Sequence, residues 1–148
     1  MSTLDLRQIL LPVDGSEGAA HAARFAARLA RTAGAAITLM YVLHPVTATA
    51  EGLASKSRDE AQAILRRAAA PSFRSAAEAM GPVEHPLHVR EVVELGDPAG
   101  KIVAYARANP VDIIVMGSRG LSPFREILIG SVSDKVVRHA PCPVTVVR

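Results

Sequence analysis

Apolar residues alternate along this chain between short, nearly continuous runs and longer alanine-rich stretches with helical periodicity. The run Arg7-Gln-Ile-Leu-Leu-Pro-Val-Asp14 predicts a first strand, apolar on both sides as a strand covered on both faces should be. Pro12 falls near its end, where a missing N–H costs the ladder least. Asp14-Gly15-Ser16 turns the chain, and Ser16 caps a helix that runs to about Thr32 and closes at Gly34. Arg24, Arg28 and Arg31 share one face of that helix, opposite Phe25 and Leu29, and read as its solvated side. Ala36 to Leu43 predicts a second strand, and His44 to Gly52 a loop. A long helical segment follows from about Leu53 to Met80, with Ala61, Ile64, Leu65 and Ala68 as its apolar stripe. Pro71 lies inside it and predicts a break, because proline removes a helical N–H and crowds the preceding turn. Leu87 to Leu95 alternates apolar and polar residues, which predicts a strand with one exposed face, at or near a sheet edge. Asp97 caps the next helix with Pro98 at its first position, and Ile102, Val103, Tyr105 and Ala106 supply its apolar residues. Val111 to Met116 is a further buried strand, and Val144 to Val147 is the last.

This βαβαβαβαβ succession, unbroken by any linker or repeat, predicts one α/β domain over residues 1–148. The sheet should be mostly parallel, doubly wound and Rossmann-like, with right-handed crossovers and helices on both faces. Ligands of such folds bind outside the C-terminal ends of the strands, and both Asp14 and Gly117 fall there. Hydrophobic residues make up 49% of the chain, yet there are only three Phe, two Tyr and no Trp, so the core must be aliphatic and alanine-rich. No apolar run approaches the ~20 residues of a membrane helix. The N-terminal residues lack the basic start and apolar core of a secretory leader. The single cysteine, Cys142, rules out an internal disulfide. A soluble cytoplasmic protein is the expectation. The net charge of +3 comes from arginines scattered along the chain, without runs or stacking aromatics, a distribution that speaks against nucleic-acid binding.

The densest chemistry lies at Gly117-Ser-Arg-Gly120, followed after nine residues by Gly130-Ser131-Val132-Ser133. A buried strand there ends in a glycine-punctuated loop that delivers hydroxyls to a helix start. Glycine lets backbone approach a ligand, and the free N–H groups of a helix N-terminus attract anions. The pattern points to a bound phosphate, and so to a nucleotide. Each element also has a plainer role open to it: Ser131 to Asp134 fits a capping box, Gly117 and Gly120 fit turns, and Asp14 fits the turn before Gly15. Arg119 and Arg125 are the basic side chains inside the loop, and either can meet a phosphate. His85 and His88 have a metal-like spacing, but residues three apart on a strand point to opposite faces, so no metal site is expected. Cys142, between two prolines, reads as a small core residue. No Gly-x-x-x-x-Gly-Lys-Ser/Thr sequence is present, so no P-loop lysine reaches a transferring phosphate.

Taken together, Ile9-Leu-Leu-Pro-Val-Asp-Gly-Ser16, Ile113-Ile-Val-Met-Gly-Ser-Arg-Gly120, Ile127-Leu-Ile-Gly-Ser-Val-Ser133 and His139-Ala-Pro-Cys-Pro-Val144 resemble the universal stress protein family. The resemblance covers essentially the whole chain. Its Gly-x2-Gly-x9-Gly-Ser spacing, complete in Gly117, Gly120, Gly130 and Ser131, is that of the ATP-binding branch. It implies a strand order of 3-2-1-4-5, with the switch point between strands one and four. It further implies that Pro12, Val13 and Asp14 contact adenosine, the Asp14 carboxylate reaching ribose or a metal-linked water. Val42 would offer backbone to the adenine edge, and Met116 and Gly117 would line the ribose. Gly120 would lie under the phosphates, and Gly130, Ser131, Val132 and Ser133 would hold them. The expected ligand is ATP, alone or with Mg2+, with ADP and AMP as alternatives. The family commonly dimerises through its last strand, which implies a homodimer through Val144 to Val147 and an unspecified downstream protein partner. The expected role is a nucleotide-dependent stress-response or signalling module with little or no hydrolysis. A slow ATPase or related nucleotide-transferring enzyme, and a protein-interaction module with an empty pocket, are the competing readings.

Overall fold

Five strands, each parallel to its neighbours, form one sheet in the order β3-β2-β1-β4-β5, as the resemblance implied. The computed structural model describes residues 5–50, 52–82, 86–118 and 129–148. In chain order these form β1 (Gln8–Pro12), α1 (Glu17–Ala33), β2 (Ala36–Leu43), α2 (Pro45–Ala50), a single 3-10 turn (Leu53–Ser55) and α3 (Arg58–Met80). Then come β3 (Val89–Leu95), α4 (Pro98–Ala108), β4 (Ile113–Gly117), α5 (Ser131–His139) and β5 (Val144–Val147). The chain steps from β1 outward to β3, returns across the sheet, and steps outward again through β4 to β5. Right-handed crossovers in opposite directions put α1 and α3 on one face and α4 and α5 on the other.

Two cores follow from the period-two alternation of the strands. Ile9, Leu11, Val13, Ile37, Leu39 and Val115 pack under α1 and α3, while Leu10, Met40, Ile114 and Met116 pack under α4 and α5. The buried face of α1 consists of alanines (Ala19, Ala22, Ala23, Ala26, Ala27 and Ala30), which let the helix lie close on the sheet. Phe25 is therefore not a core residue. It is 40% exposed, and Leu29 packs at the margin of the core. Arg24, Arg28 and Arg31 are exposed as expected, and Arg31 Nη2 also donates to the Met80 carbonyl (2.9 Å) at the end of α3.

Other expectations are corrected locally. The segment from His44 is not all loop: Pro45 opens the short helix α2, in which Thr49 Oγ1 donates to the Pro45 carbonyl (2.9 Å). The long helix starts at Arg58 rather than Leu53, because Ser57 and Glu60 form a reciprocal capping box. Pro71 does not break it; α3 runs unbroken through that residue. Pro71 is exposed, as is Arg67, the residue whose carbonyl the missing Pro71 N–H would have bonded. On the opposite side Leu65, Ala69, Ser72, Phe73, Ala76 and Met80 are buried, and their packing carries the helix past the missing bond. β3 occupies an edge, as its alternation predicted. Among the described residues no helix is long and apolar enough to cross a membrane.

Candidate functional site

At the carboxyl ends of the strands, β1 stops at Pro12 while its neighbours continue, which opens a cleft of about 220 Å³ between β1 and β4. Ten of the residues expected at a ligand site line it: Pro12, Val13, Asp14, Val42, Met116, Gly117, Gly130, Ser131, Val132 and Ser133. Arg119 and Gly120, with Arg125 and His85, lie outside the described residues. Ser16, Ala19, Met40, Pro98 and Ile102 complete the lining. Met40 could have been found as the same-face neighbour of Val42 two residues earlier. Pro98 and Ile102 follow from placing the first turn of α4 over that face.

The local chemistry explains the shape. Asp14 is exposed and its Oδ1 accepts the Ser16 N–H (2.9 Å), a turn that Gly15 completes at φ +81°. Ser16 Oγ in turn accepts the Ala19 N–H (3.1 Å) and caps α1. Asp14 thus has its turn role, and its second carboxylate oxygen has no hydrogen-bond partner among the described residues. The Val13 N–H donates to the Met40 carbonyl (2.9 Å), the last bond between β1 and β2. Val42, two residues further on, points its N–H and C=O the same way, past the end of β1 and over the cleft. Burial pushes the phenol of Tyr41 up from its ordinary range, and the charge of Asp14 adds to this.

Gly117 is required for packing. A Cβ there would come within 2.7 Å of the Gly18 backbone carbon and oxygen, so β4 and the start of α1 can touch only without one. Gly130, by contrast, has φ −72° and ψ 163°, ordinary extended backbone, and needs no glycine for its conformation. Its N–H donates to the Ser118 carbonyl, which ties the start of α5 to the end of β4.

The capping box read into Ser131 to Asp134 does not form. Gly130 occupies the cap position and no side chain caps α5, whereas Ser16, Ser57 and Asp97 cap α1, α3 and α4. The first intrahelical bond of α5 is from the Asp134 N–H to the Gly130 carbonyl (2.9 Å). The N–H groups of Ser131, Val132 and Ser133 are left without helical partners, beside the cleft. Ser131 is exposed, but Ser133 is 4% exposed and its hydroxyl donates to the Gly117 carbonyl (2.7 Å). The hydroxyl proton expected to serve a ligand is therefore spent on holding β4. Among the described residues Asp14 is the single ionisable group of the lining, and no cluster of His, Cys, Asp or Glu could hold a metal ion.

A parallel 3-2-1-4-5 sheet with a glycine-rich cleft at the 1–4 switch point defines a class of α/β nucleotide-type folds. A model of the universal stress protein family matches residues 6–148, and the chain belongs to that family. It is 36% identical over 142 residues to the universal stress protein in the QAH/OAS sulfhydrylase 3' region of Thermus aquaticus, covering 96% of this chain and 98% of the relative. The solved structure of protein MJ0577 of Methanocaldococcus jannaschii superimposes with a TM-score of 0.78 at 27% identity, covering 97% of this chain and 96% of that one. A universal stress protein of Archaeoglobus fulgidus, solved in complex with dAMP, shares the fold at a TM-score of 0.63 and 20% identity, over 99% of this chain and 100% of that one.

Proposed function

We propose that this chain binds ATP in the β1–β4 cleft and acts as a nucleotide-dependent stress-response module rather than as a catalyst. The observation that carries the reading is the uncapped start of α5 opening on a cleft whose other walls suit a nucleoside. Met40, Val42, Ile102 and Met116 offer apolar sides to an adenine ring, and the Val42 backbone offers one acceptor and one donor to its edge. The free oxygen of Asp14 suits a ribose hydroxyl or a water on a phosphate-bound Mg2+. The N–H groups of Ser131, Val132 and Ser133 and the hydroxyl of Ser131 suit phosphate oxygens. That a fold-mate from Archaeoglobus fulgidus takes dAMP supports an adenine nucleotide as the class of ligand. In this reading bound ATP stabilises a homodimer formed through β5. Val144 and Val146 point their N–H and C=O away from β4, because the bonds Ile114 N–H to Pro143 (3.0 Å) and Ser118 N–H to Val147 (2.8 Å) turn the odd-numbered residues inward.

The test is one preparation measured in two ways, by melting with and without Mg-ATP and by single-turnover hydrolysis. Ligand at a hundredfold its Kd stabilises a fold by about 2.7 kcal/mol, worth several degrees of Tm at this size. A clear rise with ATP intact after an hour is expected. Turnover near one per second would make the protein an enzyme, and no rise with any adenine nucleotide would remove the site.

A further inference from the structure

We propose that the outer edge of β3, with the groove that α3 opens beside it, binds an extended acidic segment of a partner protein as a sixth strand. β3 is the outermost strand on its side of the sheet. The Ile37 N–H donates to the His88 carbonyl (2.8 Å) and the Gly96 N–H to the Leu43 carbonyl (3.0 Å), so the even-numbered residues of β3 turn toward β2. Val89, Glu91, Val93 and Leu95 therefore present their N–H and C=O groups outward, unpaired among the described residues. Their side chains share the face of α3, in register with Ile37, Leu39, Tyr41 and Leu43. Val89 and Leu95 are 43% and 39% exposed, an unusual cost for large apolar side chains on an open edge.

A groove of about 530 Å³ runs between this row and the flank of α3, with Phe73 and Val93 on its apolar side and Arg66, Arg74 and Glu91 on its polar side. Neither arginine has a carboxylate within salt-bridge distance among the described residues. Eight residues apart on a helix is about 12 Å, and four residues of a strand rise about 13 Å. An added strand with acidic side chains at positions i and i+4 would thus reach both guanidinium groups, with an apolar residue at i+2 over Phe73 and Val93; one of its carboxylates falls opposite Glu91, a single like charge against the two arginines of the groove. A second copy of this chain fits less well. Two-fold pairing centred on Val92 would bring four guanidinium groups together against two Glu91 carboxylates. The cross-strand pair of Arg90 with Glu94 would have to draw Glu94 from Lys101, 3.6 Å away.

The probe is a dye-labelled, capped peptide of threonines with glutamate at its second and sixth positions and valine at its fourth, followed by fluorescence anisotropy against the full chain. Saturable binding is expected. It should weaken at least tenfold when the glutamates are replaced by lysine, when alternate peptide nitrogens are methylated, or in the doubly reversed Arg66→Glu, Arg74→Glu protein. Both arginines are exposed, so the urea midpoint of that variant should match the original. Absence of binding, or binding indifferent to methylation and to charge, overturns the proposal. So does assembly beyond a dimer that Val93→Pro abolishes, since the occupant would then be a second copy.

Discussion

Gly130→Asp should make the protein more stable and a poorer nucleotide binder at once. The backbone of Gly130, at φ −72° and ψ 163°, matches that of Ser16 at φ −73° and ψ 161°, and Ser16 caps α1 through its side chain. An aspartate at Gly130 can therefore cap α5 without backbone strain, accepting an N–H of the first turn as Ser16 Oγ accepts that of Ala19 (3.1 Å). Replacing glycine at a cap is worth a few tenths of a kcal/mol, and a carboxylate on the helix dipole adds roughly 0.3–1 kcal/mol. The sum should raise Tm by about 1–4 °C. The same carboxylate takes donors proposed for phosphate and sets a negative charge beside it. Affinity for Mg-ATP should fall at least tenfold, about 1.4 kcal/mol, while adenosine, which has no phosphate, binds as before. Calorimetric titration of ATP and of adenosine against both proteins, beside their melting curves, measures all three effects. ATP binding as tightly to the variant as to the original, with Tm raised, would show that the phosphates do not meet α5.

Gly117→Ala should act on the fold instead. Its Cβ would lie 2.7 Å from two backbone atoms of Gly18, about 0.7 Å short of ordinary contact, and backbone at the start of α1 cannot swing aside. A loss of roughly 1–3 kcal/mol is expected in urea unfolding, and an unchanged midpoint would contradict the packing described for this residue. Val146→Pro removes an outward N–H and no bond to β4, so the monomer should stay folded while the proposed dimer dissociates in sedimentation equilibrium. Burial, and then the charge of Asp112, push the Cys142 thiol up, so iodoacetamide near pH 8 should alkylate it more slowly than in the urea-unfolded chain. Because the folded value is the higher one, this contribution to stability is fully present below the ordinary thiol value and is lost as pH rises from there through the raised folded value. An alkylation rate equal to that of the unfolded chain would contradict the burial.

What was legible in the sequence is what short-range chemistry decides. Ser16 before α1, Asp97-Pro98 before α4 and Gly34 after α1 were readable because a cap depends on two or three neighbouring residues. The edge position of β3 was readable because charged residues recur along it, at Arg90, Glu91 and Glu94, while β1, β2 and β4 carry none. Pro71 and Phe25 were misread for a shared reason: periodicity marks an apolar stripe but does not say which side of a helix meets the sheet. On α1 the sheet selected alanines, since small side chains bring the helix close, and the largest apolar residue was left outside. On α3 it set the proline toward water, where the loss of one donor is tolerable. At the site, the positions fell out of the motif, but the division of labour did not. That Ser133 holds the Gly117 carbonyl, and that Gly117 faces Gly18, are contacts between segments far apart in sequence.

The same division of labour bears on the proposed holding role, because the described residues of the cleft supply few of the charges that phosphoryl transfer uses. Its described donors to phosphate are backbone N–H groups at a helix start, worth about 0.3–2 kcal/mol against a negative charge. Enzymic acceleration asks for at least about 8 kcal/mol of differential stabilisation, and phosphoryl transfer draws it from cations and a placed base. Asp14, the one ionisable group among the described lining residues, already accepts the Ser16 N–H through one of its two oxygens, and the Ser133 hydroxyl donates to the Gly117 carbonyl. Groups fixed in this way hold a ground state as firmly as a transition state, and uniform binding lowers Kd without speeding chemistry. What such binding can move is a population. An occupied cleft joins β1, β4 and the start of α5, and β4 is the strand that carries β5 to the edge where a second chain can pair. The nucleotide in this reading acts on assembly through β4, which is one strand from the β5 edge it influences and three from the free edge of β3.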